Sequence, residues 1–410
     1  PAEGARAPPY RGGQGRQAEL AGGGLLRVFR GTPQAWYPNG LLSPSPPHSL
    51  RRPAMLRRHR FPATLWRAAA AAIITLAVTA IPSSAQSPGI QRLDPHLDAL
   101  VDADATIETL GEGYLWSEGP VWVPAGGFLL FSDIPNNAVM KYQDGAGVTT
   151  FLKPSGYTGQ ARQGGKGDGW VDELGSNGLI LDEQGRLILC QHGDRAVARL
   201  EAPLAGSTPP EPKFTILADR WQGKRFDSPN DVVRHSSGAL YFTDPPYGLE
   251  KGGDPATREI DFSGVYRVAP DGEVTLVTRA MTKPNGLAFS PDESLLYIGQ
   301  SDGSAPLWRA FPVNDDGSLG EPQVFFDATE LARAGRQGSP DGLKVDVHGN
   351  LFATGPGGVL VISPEGQHLG TIVTGELVSN CAFGDDGQTL YMTANAKLCR
   401  VRLKTTGVGF

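Results

Sequence analysis

Six short segments of this chain place an oxygen-bearing side chain at the same point of a repeated pattern. A small residue or proline comes first, then Glu, Asn or Asp, then usually glycine, then an alternating apolar run. The polar residues are Glu118, Asn177, Asn230, Asn285, Asp341 and Asn380, at intervals of 59, 53, 55, 56 and 39 residues. All six offer oxygen, and two are carboxylates. Brought together, the carboxylates would repel one another and resist burial. A hard divalent cation would relieve both penalties, and Ca²⁺ accepts carboxylate, amide carbonyl and water together. Zn²⁺ usually wants His or Cys, which none of these positions supplies; Mg²⁺ or Mn²⁺ could substitute. Asn and Asp also cap turns, so a purely local role for each residue stays open.

The segments that must position these residues repeat with them. After each apolar run comes a turn rich in Asp, Gly, Pro and Ser, such as Asp182-Glu183-Gln184-Gly185. A second strand follows, as in Leu240-Tyr241-Phe242-Thr243, and two more close most units, as in Gly264–Val268 and Val274–Val277. Six units of four strands predict an all-β chain, a six-bladed β-propeller with four antiparallel strands per blade, over residues 105–410. Residues 105–110 have no partner before them and are expected to supply the outer strand of the short sixth blade. Two stacked β-sandwiches are the competing fold, but they leave the recurring polar residue unexplained.

In a propeller the inner strands line a central channel. The loops entering them share a face with the loops leaving the second strands. The latter include Gln191-His192-Gly193-Asp194-Arg195 and Thr243-Asp244-Pro245-Pro246-Tyr247-Gly248. His192, Asp244 and Tyr247 are therefore candidate contacts for a polyhydroxylated substrate, together with Asn177 and Asn380 of the ring. His235 and His348 fall in first hairpin turns on the opposite face. Two insertions, Pro154–Gly175 (with Trp170) and Pro245–Ser263, lie over the same mouth as a lid or as solvated loops.

The chain has 410 residues, a formal charge of −6, 54 glycines and 34 prolines. The mild negative charge excludes a basic footprint for nucleic acid and a polybasic stripe for an anionic membrane. Residues 1–54 lack hydrophobic periodicity and are expected to be a non-native or disordered extension. From Met55 a secretory signal follows, with Arg57, Arg58 and Arg60, then the apolar run Ala68–Ile81, then Ser83-Ser84-Ala85. The expectation is a signal peptide over 55–85, a mature start at Gln86, a linker over 86–104 and an exported protein without a stable membrane anchor. Cys190, Cys381 and Cys399 lie in apolar strand patterns and read as buried thiols, with a 381–399 bridge as the alternative.

Five motifs in order carry a resemblance: Ser-Glu-Gly-Pro-Val-Trp at 117–122, Ser-Pro-Asn-Asp at 228–231, Phe-Thr-Asp-Pro-Pro-Tyr-Gly at 242–248, Pro-Asn-Gly-Leu-Ala-Phe-Ser-Pro-Asp at 284–292 and Pro-Asp-Gly-Leu at 340–343. From about residue 105 onward the chain resembles the gluconolactonase branch of the senescence-marker-protein/regucalcin-like family. The resemblance implies a six-bladed propeller that opens sugar lactones at one divalent ion, commonly Ca²⁺ or Zn²⁺ in such proteins. It maps the metal ligands onto Glu118, Asn285 and Asp341, with Asn230 as a fourth ligand or a close substrate contact. Asp341 is the expected base toward water, with Glu118 second. Hydrolysis of another ester or a phosphotriester is the alternative chemistry. A non-catalytic carbohydrate-binding propeller and a protein-interaction scaffold are the alternatives without chemistry.

Overall fold

A computed structural model describes residues 87–159, 173–206, 208–249 and 257–410. The expected extension at 1–54, the signal sequence at 55–85 and Trp170 lie outside these residues. The described chain is almost entirely strand, arranged as six antiparallel sheets in a ring. It is a six-bladed β-propeller. Blade one runs Ser117–Val123, Phe128–Asp133, Ala138–Gln143 and Gly147–Leu152, and each later blade repeats that up-and-down order. The inner strands touch their neighbours in sequence, and that of blade six, Asn380–Gly384, touches that of blade one.

The alternating apolar runs explain the ring. Each blade has two faces, and each face must be covered by the next blade. Six hydrophobic clusters do this among the described residues, one at each junction. Phe128 and Leu130 of blade one meet Leu187 and Leu189 of blade two. The ring closes where Phe131 and Tyr142 meet Tyr391 and Leu398. Each fully buried Leu or Phe contributes about 1.5–3 kcal/mol, so apolar interfaces hold the ring.

Ile107–Glu112 pairs with Lys397–Arg402 and supplies the outer strand of blade six, as its unpartnered pattern indicated. Residues 86–104 are more than the expected linker. Gly89–Arg92 adds a fifth strand to blade five along His368–Val373, and a 3₁₀ turn at Pro95–Ala99 buries Leu97 beside Leu369 and Ile372. Four residues are too few to show a period, which is why the sequence hid this strand.

The three cysteines are buried free thiols. Cys381 and Cys399 both pair with Met392, from opposite sides of the strand between them. Two strand spacings put their Cα atoms about 9–10 Å apart, beyond the ~7 Å reach of a disulfide.

The glycine that follows most of the recurring polar residues has a steric cause. A Cβ on Gly119 would lie 2.0 Å from the Asn177 carbonyl oxygen, and one on Gly286 would lie 2.2 Å from that of Asp341. Adjacent inner strands approach so closely near the axis that only hydrogen fits between them. Gly286→Ala should therefore push blades four and five apart at about 1–3 kcal/mol. A thermal melt should show the lower Tm, and an unchanged Tm would contradict this close approach.

Candidate active site

The inner strands do not run straight into the channel. In blades one, two and four the pairing register slips beside the polar residue, between Glu118 and Val121, Ser176 and Leu179, and Pro284 and Leu287. Such bulges bend a strand and re-aim a side chain. Glu118, Asn177, Asn230, Asn285 and Asp341, from five of the six blades, line one cavity of about 400 Å³. Tyr247 lines it too.

The two carboxylates are held in a setting that resists their charge. Glu118 is buried, at 2% exposure, and Asp341 is partly buried. Burial pushes the Glu118 carboxyl up to about 8, and the charge of Asp231 adds to it. Burial also raises Asp341 well above the usual carboxylate range, with the charges of Glu118, Asp231 and Glu173 adding. Glu118 Oε2 accepts from the Gly119 N–H at 2.8 Å and from Asn380 Nδ2 at 3.1 Å. Oε1 carries neither bond.

The amides are oriented by their neighbours. Asn285 Nδ2 donates to Ser301 Oγ at 2.8 Å, and Ser301 Oγ donates in turn to the Pro340 carbonyl, next to Asp341. With its N–H₂ turned to Ser301, Asn285 has its carbonyl oxygen left for the cavity. Asn177 Oδ1 is buried with no hydrogen-bond partner among the described residues. An orphaned acceptor of this kind costs about 1–3 kcal/mol unless a donor or cation meets it. The converging donors are all oxygen. Among the described residues no three His, Cys, Asp or Glu side chains form a metal cluster, so any cation here depends on the amides as well.

Three of the expected contacts are not brought to the cavity. Asn380 stands behind Glu118: besides its bond to Oε2, its Oδ1 accepts from the Cys381 N–H at 2.9 Å. Asp244 is turned away, its two oxygens accepting from the backbone N–H groups of Asp227 at 2.9 Å and Ser228 at 2.8 Å. It fixes the Ser228-Pro229-Asn230 segment rather than a substrate. Burial, then the charge of Asp227, pushes its carboxyl up to about 8. His192 is fully buried, its Nδ1 lying 3.4 Å from Glu173 Oε2.

Sequence reasoning passed over Glu173, Lys283 and Trp116, which also line the cavity. Glu173 ends an insertion just before the Gly-Ser-Asn of blade two, and that placement of an acid was the available signal. Asp231 was also missed. It occupies the position where four other blades carry glycine, its Oδ1 accepts from Val232 N–H at 2.9 Å, and burial raises its carboxyl.

Comparison with known proteins agrees with this architecture. The family described as SMP-30/Gluconolactonase/LRE-like region matches residues 116–396. A gluconolactonase of Zymomonas mobilis is 40% identical over 321 residues, covering 78% of this chain and 87% of its own. A pentonolactonase of Haloferax volcanii is 25% identical, covering 67% of this chain and 80% of its own. The solved structure of a gluconolactonase of Xanthomonas campestris superposes with a TM-score of 0.64 at 32% identity, covering 78% of this chain and 95% of that one. The chain belongs to the SMP-30/Gluconolactonase/LRE-like family.

Proposed function

We propose that this chain is a lactonase that opens sugar lactones with the help of one divalent cation, Ca²⁺ in the first instance. The observation that carries the reading is the meeting of the Glu118 and Asp341 carboxylates with three amides in a single cavity. The names of the similar proteins, gluconolactonase and pentonolactonase, support the substrate class.

The residues present fit such an ion. Glu118 and Asp341 repel one another, Asn285 has its amide N–H₂ bonded to Ser301, and Asn177 Oδ1 lacks a partner among the described residues. Glu118, Asn230, Asn285 and Asp341 would hold it. When bound, it supplies Lewis-acid polarisation of the lactone carbonyl and electrostatic stabilisation of the charge that develops there.

The chain's own groups do the rest. Asp341 takes a proton from the attacking water, whose oxygen bonds to the carbonyl carbon. The bond from that carbon to the ring oxygen then breaks. The proton returns from Asp341 to the leaving oxygen, and the product is the open hydroxy acid. Asn380 keeps Glu118 oriented, and Ser301 keeps Asn285 oriented. Burial keeps the Tyr247 hydroxyl protonated, so it can donate to a substrate oxygen. Trp116, Ile134, Leu377 and Val378 give the cavity an apolar wall that limits water around the reacting carbon.

The proposal extends to location: the pattern from Met55 to Ala85 supports export and cleavage before Gln86. Among the described residues no helix is long and apolar enough to cross a membrane.

A panel of aldonolactones, aryl esters and phosphotriesters, each with added Ca²⁺, Zn²⁺, Mn²⁺ or Mg²⁺, tests the reading. The expected result is fastest turnover of an aldonolactone with Ca²⁺. Turnover confined to aryl esters or phosphotriesters, or sugar binding without turnover, would overturn it.

A further inference from the structure

The insertion at 154–175 is firmly rooted at both ends. Asp194 N–H donates to the Gly156 carbonyl at 2.8 Å, Gly193 N–H to that of Leu174 at 3.2 Å and His192 N–H to that of Gly175 at 3.2 Å. Asn137 Oδ1 accepts from the backbone N–H groups of Ser155, Gly156 and Tyr157 at 2.8–3.1 Å. Glu173, one residue before this anchored stretch, is therefore a fixed point, and it lines the cavity.

Behind Glu173 lies His192. Neither of its ring nitrogens has a hydrogen-bond partner among the described residues, and Nδ1 is 3.4 Å from Glu173 Oε2. Gly248 packs against it, since a Cβ there would come within 2.8 Å of His192 Cβ and 3.0 Å of Cγ. A fully buried imidazole with its Nδ1 beside a cavity carboxylate is placed to hold that carboxylate.

Glu173 lines the same cavity as Glu118 and Asp341, and its charge adds to the upward push on both. A carboxylate only accepts hydrogen bonds, with room for several donors on its two oxygens. Adjacent hydroxyls on a sugar ring present such donors. Trp116 and Tyr247, which line the same cavity, bring aromatic rings that suit a sugar's C–H surface.

Building on the lactonase reading, we infer that Glu173 is a specificity-determining residue that accepts hydrogen bonds from the ring hydroxyls of a polyhydroxylated lactone, with His192 as its positioning residue. A lactone without hydroxyls leaves the carboxylate unpaired on closure of the complex. The selectivity thus works in both directions.

The test compares an aldono-δ-lactone with unsubstituted δ-valerolactone, as KM and kcat separately, in the metal-loaded protein. Glu173→Gln should raise KM for the aldonolactone by about ten- to a hundredfold, with a far smaller change for δ-valerolactone. His192→Phe, which keeps the ring shape but removes both nitrogens, should move the same ratio in the same direction. Glu173→Asp should recover part of the loss, which a general structural defect would not allow. An equal loss on both lactones, or an unchanged KM for the aldonolactone, overturns the assignment. Failure of the wild-type chain to open either lactone is a different result, and it would strike the lactonase reading itself.

Discussion

Asp341→Asn is expected to lower lactone turnover by about two to four orders of magnitude, the range a positioned general base contributes. The substitution keeps the shape and one oxygen, so the cavity survives. What it removes is the charge that accepts the water's proton. The variant should fold at least as well as the wild type without metal, because one of two carboxylates that repel one another is gone. Steady-state kinetics beside a thermal melt separates the two effects. Turnover near the wild-type rate would show that Asp341 is not the base.

The second large effect concerns pH. In the metal-free chain, burial raises the carboxyls of Glu118 and Asp244 to about 8, and that of Asp341 well above its ordinary range. Between roughly pH 4 and pH 8 these groups hold protons in the folded state that the unfolded chain has released. Stability therefore falls as pH rises through that window. The cost reaches the order of a few kcal/mol at the alkaline end. A divalent cation binds the deprotonated carboxylates of Glu118 and Asp341, so its stabilisation grows with pH, the opposite slope. Melts of chelator-treated protein should give a lower Tm at pH 8 than at pH 5, and added Ca²⁺ should recover the share that Glu118 and Asp341 contribute. A Tm of the chelated protein that rises from pH 5 to pH 8 would contradict this.

The fold was legible because it is a repeat. A polar residue, usually a glycine, and an apolar run recurring six times are enough to define blades, and the lone run at 105–110 had only one place to pair. The strand Gly89–Arg92 was not legible: its pairing along His368–Val373 depends on an edge that exists only after blade five has formed.

The site divides in the same way. Glu118, Asn177, Asn230, Asn285 and Asp341 reach one cavity because blade symmetry decides their direction. Asp244 ends a strand and His192 follows one, positions whose direction symmetry does not govern. A short carboxylate at the end of a strand found the backbone N–H groups of Asp227 and Ser228 before it could reach the axis. Asn380 shares the ring position but stands behind Glu118, because Gly342 leaves space for its amide there; a Cβ at 342 would lie 2.0 Å from Asn380 Cγ. Glu173 was hidden because it belongs to an insertion, where no period exists to read.

Calorimetric titration of chelator-treated protein with Ca²⁺ tests most directly whether the ring oxygens converge on one ion. One ion bound per chain, with protons released on binding and with binding lost in Glu118→Gln, is the predicted result. No binding heat, or binding that Glu118→Gln leaves intact, would contradict it.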